Sequence, residues 1–273
     1  MTTADPAEFI SDLPDDTPLC ALTIPGTHDT MTSACTHPYY RTQDLGLAEQ
    51  IGCGVRYLDL RLRRTMVAAH REWISDISAE SILQTLREHL TAHPRDFFLA
   101  RIQNANEAKD DFEAYGNALT ALIAKNRDLF WTPEQAGGGT VWPALGSIRG
   151  KVVAFECAPA QFGLTAVGDR PWAVPWHDNR RILLQDDWDG PEPAEKLSQI
   201  ERLYTHRGDD DCLLLNHVSA TNGRLGTPIA YAQRTNPQVL RLLRQMHGRG
   251  VLIFDFVDSE LVDAAWGVSA LRS

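Results

Sequence analysis

A parallel α/β barrel in a single domain is what this sequence predicts. Short apolar runs alternate with longer amphipathic segments along nearly the whole chain, and 273 residues are enough for one large α/β domain. Titratable residues recur where the apolar runs end, as they do at the reactive face of parallel barrels. A doubly wound open sheet is the competing architecture. It is disfavoured because no GxGxxG follows any expected strand and no phosphate-cradling P-loop motif occurs.

In chain order, the expected strands are ALTIP at 21–25, VRYLDL at 55–60, DFFLARI at 96–102, KVVAFEC at 151–157, RILLQ at 181–185, CLLLN at 212–216 and GVLIFDF at 250–256. Each is short and apolar, as strands buried on both faces are. Helical patterns fill the intervals at 45–52, 78–93, 110–126, 193–206 and 227–248. The second of these opens on Ser-Ala-Glu-Ser and then sets Ile82, Leu83, Leu86 and Leu90 at helical spacing, an N-terminal cap followed by one apolar face. Gly137-Gly138-Gly139 reads as a flexible connector rather than a phosphate cradle.

The composition, 43% hydrophobic and 23% charged, is that of an ordinary globular chain. A formal charge of −10 argues against broad binding to nucleic acid or to anionic lipid. The N-terminus MTTADPAEFISDLPDD lacks the basic-then-apolar pattern of a signal peptide, and no stretch is long enough to span a bilayer. A cytoplasmic location is therefore expected, or secretion if a leader has been trimmed. Five cysteines, odd in number and without a CxxC pair, suggest neither a zinc site nor a disulfide framework.

Strand ends carry His28 and Asp29, Asp59 and Arg61, His70, Arg101 and Gln103, Asp186 and Trp188, Asn216 and His217, and Asp255. His37, His89, His93, His206 and His247, in helical or loop contexts, read as structural. Asp187, Asp189 and Asp209 to Asp211 read as solvated loop charges, and no EF-hand spacing is present. His28, Asp29, Arg61, His70 and Asp255 make chemical sense together. Two histidines with two carboxylates supply a general base and a general acid, and an arginine supplies a planar cation suited to phosphate. That is equipment for cleaving a phosphodiester by attack of a neighbouring hydroxyl.

The runs IPGTHDT, LGLAEQIGCGVRYLDLRL, AAH, ILQTLREHLTAHPRDFFLARIQ and GVLIFDF resemble the X-domain of bacterial phosphatidylinositol-specific phospholipase C. The match is close over the first hundred or so residues and resumes near the C-terminus. The resemblance implies a distorted, incompletely closed TIM barrel and a metal-independent lyase that forms a cyclic phosphate and diacylglycerol, with no cofactor. It makes His28 the base, assisted by Asp255, and His70 the acid, paired with Asp29, while Arg61 holds the phosphate. Asp59 matches a further polar position of the family. In the calcium-dependent branch the residue two after the Asp59 equivalent is an acidic metal ligand, and Arg61 stands there instead.

Departures concern the substrate. A lysine and an arginine that help bind the inositol headgroup in the family correspond to Gln103 and Cys157, so two cationic contacts are expected to be lost. Asp186 and Trp188 keep the places of an acidic residue and an aromatic platform for the ring, and Arg71, Glu72 and Trp73 follow His70 where glycine is usual. Asp59, Gln103, Asp186 and Trp188 are the expected substrate contacts. The expected substrate is phosphatidylinositol or another phosphodiester, met by a monomer in transient contact with membrane. The alternatives are an intracellular relative recruited to a non-lipid substrate in a specialised biosynthetic pathway, with the same acid-base pairs, and a non-catalytic binding module on the same barrel. Trp73, Trp172 and Trp176 read as core and loop aromatics rather than membrane anchors.

Overall fold

The computed structural model describes residues 6–270 apart from 107–108, 137–138 and 222, so that Gly137 and Gly138 of the expected connector lie outside the described residues. Ten strands form the main sheet: β1 Thr23–Thr27, β2 Tyr57–Leu62, β3 Val67–His70, β4 Trp73–Ser78, β5 Phe98–Asn104, β6 Val152–Glu156, β7 Ala173–Pro175, β8 Ile182–Gln185, β9 Leu213–His217 and β10 Gly250–Phe254. Eight of them run parallel in the order β7-β6-β5-β2-β1-β10-β9-β8. The sheet curls but does not close. β7 and β8 are consecutive in the chain and sit at the two free ends of the order, so the barrel has an open seam between them.

Each expected strand is present, several displaced by one or two residues. β1 continues through Pro25 and Gly26 to Thr27 instead of ending at the proline. Pro25 lacks an N–H but still accepts from Arg56 N at 3.0 Å, and His28 N donates to Phe254 O at 2.9 Å. Gly26 is required here because a Cβ would lie 2.7 Å from the Cβ of Tyr57 on the neighbouring strand. The outcome is that His28 and Asp29 leave the strand directly at its carboxyl end.

The expected helices form at Leu47–Gly52, Ala79–Ala92, Phe112–Asn126, Pro193–Tyr204 and Pro228–Gln245. The Ala79–Ala92 helix is capped by Ser78, which accepts from Ser81 N, and buries Ile82, Leu83, Leu86 and Leu90. The elements not expected from sequence include β3 and β4, β7 and two terminal helices. β7 lies in PWAVPW, where flanking prolines hide a three-residue edge strand. Helices at Pro6–Asp12 and Ser259–Ala270 pack at the chain ends, the second donating from Trp266 Nε1 to Gly54 O at 2.8 Å. Among the described residues no helix is long and apolar enough to cross a membrane.

One continuous apolar core runs between the sheet and these helices. Trp172 and Trp176 are buried in it. His89, read from sequence as unsupported, lies 2.8 Å from Asp96, which also receives the fully buried Arg56. This cluster is remote from the strand ends described next and has a structural role.

Candidate active site

Because successive residues of a strand face opposite sides, Tyr57, Asp59 and Arg61 share the inner face of β2 while Leu58, Leu60 and Leu62 face the helices. The same alternation turns Arg101 and Gln103 of β5 inward, paired in register with Asp59 and Arg61. β3 folds back on β2 and carries His70 over the same end of the barrel. The strand-end loops then enclose a cleft of about 270 Å³, the scale of a small polar headgroup, lined among others by His28, Arg61, His70, Arg101, Gln103, Asp186, Trp188 and Asp255.

Arg61 lies at the centre. Its Nη2 donates to His28 Nε2 at 2.6 Å and to Asp59 Oδ2 at 3.0 Å, and its Nε is 2.7 Å from Asp29 Oδ1. His28 Nδ1 is 2.8 Å from Asp255 Oδ1. A guanidinium can only donate, so Nε2 of His28 presents its lone pair, and the ring proton sits on Nδ1, facing Asp255. Burial, reinforced by Arg61 against the pull of Asp29, lowers the His28 pKa to about 4, which keeps the ring neutral near pH 7. Burial also pushes Asp255 up, to about 8. The committed Nδ1 proton nevertheless needs a carboxylate to receive it, so one proton is held between the two groups.

His70 is presented in the opposite sense. Its Nδ1 donates to Tyr40 O at 2.8 Å, and its Nε2 faces Asp29 Oδ2 at 3.2 Å. The carboxylate beside the second nitrogen can only accept, so Nε2 is oriented toward an acceptor. Asp29 thus serves Arg61 and His70 with its two oxygens, held by charge rather than by aligned hydrogen bonds. Its backbone is left-handed, φ 43°, a conformation Asp adopts more readily than most residues. Thr32 and Thr42 fix it by donating to Asp29 O at 3.0 and 3.2 Å.

His28, Asp29 and Asp59 place ligand atoms within 4.8 Å of one another, a spacing that could hold a metal. The Arg61 guanidinium touches all three, however, and already supplies the positive charge a divalent ion would bring. Against the upward push of burial, Arg61 and then Arg101 hold Asp59 below the usual carboxylate range.

No family model matches the chain. It is 29% identical over 267 residues to the 1-phosphatidylinositol phosphodiesterase of Listeria monocytogenes, across 93% of this chain and 82% of that one. The structure of phosphatidylinositol-specific phospholipase C from Listeria monocytogenes superposes with a TM-score of 0.84 and 26% identity, over 97% of this chain and 99% of that one. The chain is similar to the bacterial phosphatidylinositol-specific phospholipases C. A mutant of the Staphylococcus aureus phospholipase C, at TM-score 0.76 and 21% identity over 95% and 96% of the two chains, shares the fold.

Gln103 and Cys157 bring no charge, yet the cleft is not short of cations, because Arg101 inserts beside them and donates from Nε to Cys157 Sγ at 3.3 Å. Arg71 adds another. It occupies a left-handed turn, φ 54°, between β3 and β4, and its guanidinium lies 6.0 Å from the centre of the Trp188 ring. The Arg71–Trp188 pair forms one wall of the mouth, and Trp188 is 47% exposed.

Sequence reasoning placed His217 at a strand end but left it out of the constellation. Its ring is buried, 5.8 Å from that of His28 and edge-on to it, with Nδ1 3.1 Å from Ser219 Oγ. It also missed Lys196. This buried side chain donates to Gln185 Oε1 at 2.8 Å and Asp187 O at 2.6 Å and so anchors the loop bearing Asp186 and Trp188; burial lowers its pKa to about 8. An amphipathic helix with one inward lysine was the only signal available for it.

Burial lowers His217 to about 3. Its folded pKa therefore lies below that of the unfolded chain, so the unfolded state takes up the proton first and stability falls as pH drops below about 6.5. From pH 6.5 to 5 this residue alone should cost about 2 kcal/mol, roughly 4–8 °C in a chain of this size. Thermal unfolding of the wild type and His217→Phe at pH 7 and pH 5 checks this. The variant should lose less on acidification by that margin, and equal losses would show that His217 is not held neutral.

Proposed function

We propose that this protein is a metal-independent phospholipase C that cleaves phosphatidylinositol by intramolecular attack, releasing diacylglycerol and a cyclic inositol phosphate. The observation that carries the reading is the opposite presentation of the two histidines around one arginine. His28 offers a lone pair at Nε2, and His70 is set up as a donor at Nε2, with ring centres 6.4 Å apart.

In the proposed reaction the scissile phosphate binds Arg61, which turns from His28 Nε2 toward the phosphate oxygens. The freed nitrogen takes the proton of the ring hydroxyl next to the phosphoester, and the resulting imidazolium is stabilised by Asp255. The hydroxyl oxygen attacks phosphorus as the bond to the glycerol oxygen breaks. His70 protonates that leaving oxygen, with its ring oriented by Asp29, whose other oxygen faces Arg61. Asp186 and Trp188 stand where they can receive the ring hydroxyls and the ring face. The name of the Listeria relative, 1-phosphatidylinositol phosphodiesterase, supports this choice of substrate.

Phosphorus NMR of phosphatidylinositol in detergent micelles tests the reading. The cyclic phosphate resonance should appear at the same rate with and without a chelator of divalent ions. Loss of turnover with chelator would overturn the metal independence, and a product without the cyclic phosphate would overturn the intramolecular attack.

A further inference from the structure

Arg101 is 9% exposed, and the way it is satisfied sets it apart from the other deeply buried arginines. Arg56 gives its guanidinium to Asp96 and to the carbonyls of Ile51 and Val55. Arg249 gives its two Nη groups to the carbonyls of Cys20, Cys212, Gly208 and Asp209. Arg101 instead donates once, from Nε to the sulfur of Cys157, and stacks on Trp176 at 4.2 Å. Burial pushes the Cys157 thiol up to about 12, so this partner is uncharged.

Among the described residues no carboxylate oxygen lies within ion-pair distance of Arg101, and neither Nη has a protein acceptor. Asp59, its register partner on β2, balances the charge from further away, with one oxygen given to Arg61 and the other without a hydrogen-bond partner. The open donors of the guanidinium face the cleft and the seam cavity, placed to receive an anion that enters there.

The position of Arg101 says where such an anion would come from. Arg101 is rooted two residues before Gln103, about 6.6 Å deeper along β5 than the level of Arg61. It lines both the cleft and a second cavity at the open seam between β7 and β8, and Asp186 is the other residue common to the two. The seam cavity also presents Trp176, His177 and Arg180, opposed by Asp178. A group held by Arg61 at the mouth and a group held by Arg101 on the floor would therefore belong to one ligand.

We propose that the substrate headgroup carries a second oxyanion, a phosphate monoester in first place, and that Arg101 binds it at the floor of the cleft where the barrel seam opens. This rests on the phospholipase reading for the scissile bond and narrows its substrate class to an anionic ring. The planar fork of Arg101 matches an oxyanion with two parallel donors, which a lysine could not do.

The full chain is assayed on micelles of phosphatidylinositol and, separately, of each of its ring-phosphorylated forms, and inorganic phosphate is titrated into it by calorimetry. At least one phosphorylated lipid should show a kcat/KM about 10-fold or more above that of phosphatidylinositol, with the ratio falling toward one in Arg101→Met. Inorganic phosphate should occupy two sites in the wild type, one lost in Arg101→Met and the other in Arg61→Met. The wild-type stoichiometry needs no variant to fold. A single phosphate site together with a preference for unphosphorylated lipid would overturn the proposal. Two phosphate sites without cleavage of any lipid would support the anion site while removing the phospholipase reading.

Discussion

Replacing His28 with alanine should lower kcat on phosphatidylinositol by about 10²–10⁴-fold, and His70→Ala should do the same, each with unchanged near-ultraviolet circular dichroism. The two losses have different origins. Without His28, the nitrogen that takes the hydroxyl proton is gone, and Asp255, 2.8 Å from its Nδ1, loses the imidazolium it would stabilise. Without His70, the leaving glycerol oxygen departs unprotonated. A substrate with a more acidic leaving group should therefore restore much of the activity of His70→Ala and little of that of His28→Ala. Equal rescue of both would mean that the roles are not divided in this way, and unchanged release of product in either variant would remove that histidine from the chemistry.

The strands that carry this apparatus were legible because a buried parallel strand is a short apolar run whatever surrounds it. GVLIFDF, CLLLN and DFFLARI each have that form, and each became a strand within two residues of its expected limits. Strand ends also pointed to His28, Asp29, Arg61, His70 and Asp255, which converge around one guanidinium. What the sequence could not reveal was contact across the barrel. Arg101 was read as a strand-end charge, and its importance depends on Cys157 and Trp176, which lie 56 and 75 positions further along and meet it only after the sheet curls. His217 was passed over for a similar reason, since its proximity to His28 comes from β9 and β1 both lining β10. The open seam depends on β7, a three-residue strand between prolines, too short for any periodicity to register.

Arg61→Lys should be nearly as damaging as loss of a histidine, about 10²–10³-fold in kcat, although the charge is kept. Arg61 contacts His28, Asp29 and Asp59 simultaneously through Nε and Nη2, in directions fixed by the planar group. An ammonium offers three donors about a single point and cannot span the two carboxylates while presenting a further face to phosphate. Released from the fork, Asp29 would pair more strongly with His70 and hold its proton back, so the loss should fall on kcat more than on KM. Steady-state kinetics over a range of surface concentrations of lipid separate the two. A loss confined to KM would mean that Arg61 only anchors the substrate, and that the charge balance through Asp29 does not govern the acid.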